Sequence, residues 1–289
     1  MRKNFLYLLS LACLFLTSSC IRTSTVVSVK KDGTGNIISR YYFSPQMLIM
    51  IDQLAGIQGQ GGDGAAANLG MIADMAKPTK ETLEADASHF GEGVRYAKHE
   101  PGKDDEGWEG YTVVYEFDDV TKIQIDQNSV PGKAKEFVEA SGEDIDAKDG
   151  GNLTFGLEGD TLTIFSTFAK AGMGNMIDQE KLDQAKAMNM TPSQAMQMSA
   201  GMAQGMRVGF FVRAEEGIVE TDATHVTGNL IILSDADISK VMKDPDFGAF
   251  LDSTVEDPKA ATPEKINELF KEIEAMTIEL SEEITVKLK

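Results

Sequence analysis

Residues 25–43 read T-V-V-S-V-K-K-D-G-T-G-N-I-I-S-R-Y-Y-F, and this stretch decides the fold class. The segments 25–31 and 36–43 are rich in β-branched and aromatic side chains, which favour β-strands. Between them, Asp32-Gly33-Thr34-Gly35 has the composition of a tight turn. The stretch therefore predicts an antiparallel β-hairpin.

The same pattern of strand, turn and strand recurs along the chain. The predicted pairs are 94–99 with 111–117, 153–157 with 161–168, and 207–213 with 218–224, and single strands are predicted at 229–233 and 284–288. Helix signals fall between these groups. Parallel β-α-β units would need single strands that alternate with helices, and this order does not provide them. The sequence therefore predicts an α+β fold, in which antiparallel β-hairpins form one or more sheets and interspersed helices pack against them.

One predicted helix has a clear buried face. Thr262 and Pro263 supply an N-cap followed by proline at the first helical position, and the predicted helix covers 263–276. Its apolar side chains recur at i, i+3, i+4 and i+7, namely Ile266, Leu269, Phe270 and Ile273. This spacing places them on one face, so we expect the stripe to lie in a hydrophobic core.

Residues 1–19 have the organisation of a secretory signal peptide. A short basic region is followed by an apolar run at 5–16, which is too short to span a bilayer. Small side chains at 17–19 then precede Cys20. This order predicts export and removal of 1–19, which leaves an extracytoplasmic α+β body at 20–289.

The segment L-T-S-S-C at 16–20 resembles the lipobox of bacterial lipoproteins. The resemblance implies that a lipid is attached to the thiol of Cys20 and that the signal peptide is then cut before it. The family prefers leucine three places before the cysteine, whereas Thr17 stands there in this chain. The small residues also suit an ordinary signal-peptide cut, which would release a soluble secreted protein. Cys13 lies in the removed segment, so Cys20 has no disulfide partner within the body and lipidation would protect its thiol.

The charge of the chain limits its partners. There are 46 acidic side chains against 27 Lys and Arg, and the formal net charge is −19. Such a surface repels nucleic acid, so we expect no nucleic acid partner. The expected partners are the membrane, through the N-terminal lipid, and an envelope protein or an apolar ligand. The expected location is outside the cytoplasm at the cell membrane, or at the outer membrane of a Gram-negative cell.

The domain organisation of the body stays open. A polar stretch near 126–151 has the composition of a linker, so both one domain and two lobes are consistent with the sequence. Its acidic cluster at 144–149 does not fit the EF-hand string, because Lys148 stands where an oxygen ligand belongs.

Motifs for catalysis or cofactor binding are weak. Gly59, Gly61 and Gly64 match the dinucleotide-binding string G-x-G-x-x-G, but no strand precedes them, so a loop is the better interpretation. The histidines lack the spacing of a zinc site, and no cysteine remains to complete one; they are His89, His99 and His225. The sequence therefore predicts no catalytic residue, no cofactor and no metal, and a protein that is not an enzyme.

Methionine is unusually frequent between positions 173 and 206. Met198, Met202 and Met206 step by four residues and would share one face of a helix, which favours core packing or a pliable apolar docking surface. Thioether ligands for Cu(I) are the alternative, but Met188 and Met190 would point to different faces of a helix and could not hold one ion together.

The order of elements is similar to that of lipoproteins of the mycobacterial LppM type, in which a hairpin directly after the lipidated cysteine precedes helices and further hairpins. This similarity is one of layout and transfers no residue beyond Cys20. The sequence thus predicts a membrane-anchored envelope lipoprotein that is a non-catalytic binding or structural module. The alternatives are a protein that binds an apolar ligand such as a lipid, and an extracytoplasmic enzyme of the hydrolase class.

Overall fold

The computed structural model describes residues 21–55, 75–126, 151–167, 190–200, 203–256 and 262–289. Within these ranges the chain forms two β-sheets and several short helices, which confirms the predicted α+β class. The predicted signal peptide, Cys20 and positions 127–150 of the predicted linker lie outside the described residues.

The strands are numbered in chain order. Their bounds are β1 Ile21–Val29, β2 Gly35–Phe43, β3 Arg95–Lys103, β4 Glu109–Phe117, β5 Gln124–Asp126, β6 Asn152–Glu158, β7 Thr161–Ser166, β8 Arg207–Ala214, β9 Ile218–Thr221, β10 Val226–Thr227, β11 Leu230–Asp237, β12 Met276–Ile278 and β13 Glu283–Leu288. The larger sheet has the order β10-β11-β8-β1-β2-β4-β3, and β12 also pairs with β11. The smaller sheet has the order β5-β6-β7-β13-β9.

The helices lie between these strands in the chain. The described helices are α1 Pro45–Ala55, α2 Lys80–Asp86, α3 Pro192–Ala200, α4 Ile238–Val241, α5 Pro245–Glu256 and α6 Pro263–Glu272. The Thr262 side chain caps α6 by accepting a hydrogen bond from the backbone N–H of Lys265, as the sequence predicted. The helix ends four residues earlier than predicted because Ile273 adopts an extended conformation.

Most of the predicted hairpins are confirmed. β1 and β2 pair in an antiparallel register that runs from Ile21 opposite Phe43 to Val29 opposite Gly35. The turn between them passes through Gly33 at φ +83°, in the left-handed region that favours glycine. The pairs β3–β4 and β6–β7 are antiparallel as well.

The hairpin predicted at 207–213 and 218–224 is wrong. β8 lies between β1 and β11, so both of its edges are already hydrogen-bonded and β9 cannot pair with it. The turn is present, since the backbone N–H of Gly217 donates to the carbonyl of Ala214 at 3.1 Å. It carries the chain to the smaller sheet, where β9 pairs with β13.

One pair in the larger sheet is parallel. β1 and β8 run in the same direction, with Arg22 opposite Arg207 and Val29 opposite Ala214. The other pairs of described strands are antiparallel. The parallel pair joins the N-terminal hairpin to the C-terminal part of the chain.

Two clusters of buried apolar side chains stabilise the fold. The main cluster contains side chains from both sheets, for example Val27 of β1 and Ile164 of β7. The second cluster contains residues of α5 and α6. The apolar stripe predicted on α6 is confirmed, because all four of its members are buried in this second cluster.

A carboxyl group is buried where α2 ends. Asp86 is 4% exposed, and its side chain makes no capping hydrogen bond to the 3-10 helix Ala87–Phe90 that follows. Burial raises the pKa of this carboxyl, and the charge of His89 offsets only part of the effect. The folded state therefore bears a cost for ionising Asp86 that the unfolded chain does not have.

We expect Asp86→Asn to raise the melting temperature at about pH 7 and to change it little at about pH 3. Below the unfolded pKa of about 3.9, the carboxyl is protonated in both states and burial costs no charge. Because the folded pKa is raised, stability is lost as the pH rises from the unfolded pKa through the folded one. Thermal melts followed by circular dichroism measure this, with Glu84→Gln, an exposed position on α2, as control. A parent that equals Asp86→Asn in stability at both pH values would contradict the prediction.

Candidate functional site

The larger sheet turns one face towards the main cluster and the other face away from it. Along β1, Val27 and Val29 belong to the main cluster. Successive side chains of a strand point to opposite faces. The opposite face, which we call the outer face, therefore carries Ser24, Val26, Ser28 and the residues in register with them on the neighbouring strands.

Arginine is concentrated on the outer face. The chain has five arginines after residue 20, and the strand registers place all of them there; they are Arg22, Arg40, Arg95, Arg207 and Arg213. Arg207 lies opposite Arg22, Arg40 lies opposite Ser24, and Arg213 lies opposite Ser28. A chain with a formal net charge of −19 thus displays a group of fixed cations on one sheet surface.

A pocket of about 250 Å³ opens on the outer face. Ser24 and Gly209 are neighbours on β1 and β8. The small side chain of Ser24 and the lack of a side chain at Gly209 leave a depression between larger residues. The Phe211 ring lies across Gly209, because a Cβ at Gly209 would stand 2.6 Å from it. The remaining lining residues are Arg22, Thr23, Arg40, Tyr42, Arg207 and Asp235.

Arg22 is fixed by the loop between β3 and β4. Its guanidinium donates to Asp104 at 2.8 Å, to Glu106 at 2.5 Å and to the backbone carbonyl of Gly205 at 2.9 Å. It also lies 4.0 Å from the ring centre of Trp108, which is a cation–π contact. Asp104 in turn accepts hydrogen bonds from the backbone N–H groups of Glu106 and Trp108. These contacts therefore fix the position of Arg22, and the two carboxylates balance its charge.

Arg207 is fixed by one carboxylate. Its Nε and Nη2 atoms donate to the two oxygens of Asp235 at 2.8 and 2.6 Å, which makes a bidentate ion pair. The hydrogen bonds to Asp235 raise the pKa of Arg207, so the guanidinium is charged at every physiological pH. Because both oxygens of Asp235 accept from Arg207, this carboxylate is not free to act as a base.

Arg40 differs from these two arginines. It is half-buried, and its guanidinium has no ion pair or hydrogen bond with any residue that the structure describes. A guanidinium presents five N–H donors in a planar fork that fits a carboxylate or a phosphate group. The pocket thus contains two arginines that are already paired with carboxylates and a third, Arg40, whose donors can bind an anion. We call it the arginine pocket.

None of the candidate site residues that the sequence singled out is among the described lining residues of the arginine pocket. Cys20 and the glycines 59, 61 and 64 are outside the described residues. The Nδ1 atom of His99 is 2.7 Å from the Tyr96 hydroxyl on β3, and no histidine lines the arginine pocket. Within the described ranges, no group of three or more His, Cys, Asp or Glu side chains is arranged to hold a metal ion.

The methionine face predicted for a helix is wrong in part. α3 ends at Ala200, and Met206 follows a turn in which its backbone N–H donates to the carbonyl of Ala203. Met198 is 70% exposed, so it is not a core residue, whereas Met196 packs against the second cluster. The helix is too short to carry three methionines at a spacing of four, and Met202 lies outside the described residues.

A larger pocket of about 670 Å³ lies beside α1 and the ends of β3 and β4. Its apolar lining includes Leu48, Ala76 and Tyr111. Two ion pairs also border it, Lys77 with Asp52 at 3.2 Å and Lys103 with Glu109 at 2.8 Å. None of its described lining residues belongs to α3 or is a methionine.

The comparisons with known proteins assign no family. No family model and no curated protein matches the chain. The NMR structure of the folded domain of LppM from Mycobacterium tuberculosis is similar to it, with 10% sequence identity and a TM-score of 0.29 over 74% of this chain and 81% of that domain. Among the described helices, none has the length and apolar character needed to cross a membrane.

Proposed function

We propose that this chain is an envelope lipoprotein, anchored through a lipid on Cys20, whose body is a non-catalytic module that binds an anionic group in the arginine pocket. The observation that carries the binding role is the unpaired guanidinium of Arg40 in the same pocket as Arg22 and Arg207, which are both already paired with carboxylates. Charge-assisted hydrogen bonds to a guanidinium are among the stronger polar contacts available to a protein.

The position of the pocket supports a role close to the membrane. β1 begins at Ile21, one residue after the predicted lipidation site, and Arg22 already lines the pocket. Two extended residues span at most about 7 Å, so a lipid on Cys20 would hold the pocket near the membrane surface. A ligand dissolved in the compartment or exposed at that surface could reach it.

The chemistry of the pocket favours binding over catalysis. Asp235 is the one carboxylate among its described lining residues, and it is engaged by Arg207. Among the described lining residues, no carboxylate or histidine other than Asp235 is present to act as a base for the hydroxyl groups of Ser24 and Tyr42. General acid–base or nucleophilic chemistry needs such a partner within hydrogen-bonding distance.

We expect Arg40→Gln to weaken the binding of a small anion by at least about tenfold, because the loss of a charge-assisted bidentate contact costs more than about 1.4 kcal/mol. The probes are acetate and inorganic phosphate, titrated separately at low salt into the full chain. Arginine-selective NMR follows the five guanidinium signals from residues after position 20. The fluorescence of Trp108, the single tryptophan, is a second signal because its ring contacts Arg22.

The matched control is Arg95→Gln. Arg95 lies on the same face but is paired with Asp118 and does not line the pocket, so its loss should leave anion affinity unchanged. Equal affinity in the parent and in Arg40→Gln would contradict the proposed binding role. Arg40→Lys, which keeps the charge but removes the planar fork, should recover part of the affinity.

The larger pocket favours a second candidate, the binding of an apolar ligand. A pocket of this size is within the range that encloses small organic molecules. Binding of an uncharged apolar probe that Arg40→Gln leaves unchanged would favour this second function over the first.

A further inference from the structure

An apolar band crosses the outer face next to the arginine pocket. The registers align one residue from each of five strands, namely Ile232, Phe211, Val26, Ile38 and Val114. Val26 is 4% exposed and the other four are partly exposed. None of the five belongs to either hydrophobic cluster, so the band is a separate apolar surface among the described residues.

The band separates the two unpaired arginines. Arg40 lies level with Ser24 on the pocket side, and Arg213 lies level with Ser28 on the opposite side. Arg213 is half-buried, and like Arg40 it makes no ion pair or side-chain hydrogen bond within the described ranges. The other arginines of this face are each held by a carboxylate.

On the side of the band that carries Arg213, a second polar group lacks a hydrogen-bond partner among the described residues. Ser28 is fully buried, and its Oγ atom has no hydrogen-bond partner among the described residues. Buried polar atoms without partners are uncommon because each one costs free energy. An unpaired cation and an unsatisfied hydroxyl therefore occupy neighbouring positions on β8 and β1, at the far side of the band from Arg40.

The distance between the two arginines follows from strand geometry. Four residues along the strands correspond to about 13 Å, and two strand spacings across the sheet correspond to about 10 Å. The Cα atoms of Arg40 and Arg213 are therefore separated by roughly 16 Å along a diagonal that crosses Val26. Because both side chains are long, the distance between the two guanidinium groups can be shorter or longer than this Cα–Cα distance.

We propose that the outer face binds one elongated small molecule that has a carboxylate at each end and an apolar middle. One carboxylate binds Arg40, the apolar part lies across the partly exposed side chains of Ile38 and Phe211, and the other carboxylate binds Arg213. This inference rests on the proposed anion-binding function of the pocket. The charges of such a molecule complement the two unpaired cations, and its middle covers the apolar band between them.

The test uses linear α,ω-dicarboxylates from succinate to hexadecanedioate, each beside the monocarboxylate of equal length. The detergent-solubilised full chain is titrated with each probe, and arginine-selective NMR reports Arg40 and Arg213 separately. Affinity for dicarboxylates should exceed that for monocarboxylates by at least about tenfold once the molecule spans both arginines, because the second contact becomes intramolecular. Partitioning of a probe into detergent is the same for every variant and cancels between them.

The variants separate the two ends of the proposed ligand. Arg213→Gln should lower the affinity for long dicarboxylates to that for the monocarboxylates of equal length. It should leave the affinity of monocarboxylates for Arg40 unchanged. Arg40→Gln should weaken both classes, and Arg95→Gln should affect neither. Melting temperatures equal to that of the parent confirm that each variant folds. Arg213→Lys is a second variant, which keeps the charge but lacks the planar fork of donors.

The outcomes distinguish this inference from the proposed function. Arg40-dependent monocarboxylate binding without any gain at greater length would overturn the two-ended ligand and leave the anion site in place. A gain with length that survives Arg213→Gln would also overturn it, since another group would then hold the second carboxylate. Absence of carboxylate and phosphate binding altogether would overturn both.

Discussion

Phe270→Ala is expected to lower the free energy of unfolding by about 3–5 kcal/mol, which is the usual cost of truncating an enclosed aromatic side chain. Phe270 is 5% exposed and lies in the second cluster together with Phe247 and Leu251 of α5. Removing the ring forfeits its transfer free energy and leaves a cavity that a packed helix pair fills only in part.

Urea unfolding followed by far-ultraviolet circular dichroism measures this loss. Lys271→Ala is the matched control, because Lys271 is the next residue on α6 and is exposed. Substitution there should change the free energy of unfolding by no more than about 0.5 kcal/mol. A Phe270→Ala variant as stable as the parent would mean that the apolar stripe of α6 does not contribute to the folded core.

The hairpins and the α6 stripe were predictable because their determinants are local. A turn such as 32–35 and the strands beside it are adjacent in the chain, so composition alone indicates that they pair. The same holds for Ile266 to Ile273, where helical spacing fixes a shared face before any partner is known. Both predictions needed only the residues within one element.

Strand order beyond the hairpins was not predictable from the residues. The parallel pairing of β1 with β8 joins segments that are far apart in the chain, and no local pattern specifies it. The failed hairpin of β8 with β9 has the same origin. A turn at Glu215 to Gly217 requires only a change of direction, while occupation of both edges of β8 decides which sheet the next strand joins.

The arginine pocket was missed for the same reason. Arg207 and Arg213 have the same parity on one predicted strand, which is a signal that they share a face. Placing Arg22 and Arg40 beside them requires the registers of β1 with β2 and β8. The net charge sums all basic side chains against 46 acidic ones, so it carries no information on whether the arginines lie together.

Cys20→Ser is expected to move the protein from the membrane fraction to the soluble fraction, if the anchoring that we propose is correct. Each buried methylene of an acyl chain contributes about 0.8 kcal/mol, so two or more chains bind a membrane stably.

The strongly acidic chain offers little electrostatic attraction to an anionic bilayer, because its formal net charge is −19 and its arginines are few. Loss of the lipid should therefore shift most of the protein rather than a fraction of it. Fractionation of cells and partitioning between detergent and water phases both measure the shift. Cys13→Ser, the other cysteine, is the matched control and should stay with the membrane, since the resemblance places the lipid on Cys20. If Cys20→Ser partitions as the parent does, the anchor is not the lipid on this cysteine, and the nearness of the arginine pocket to the membrane would have to come from another contact.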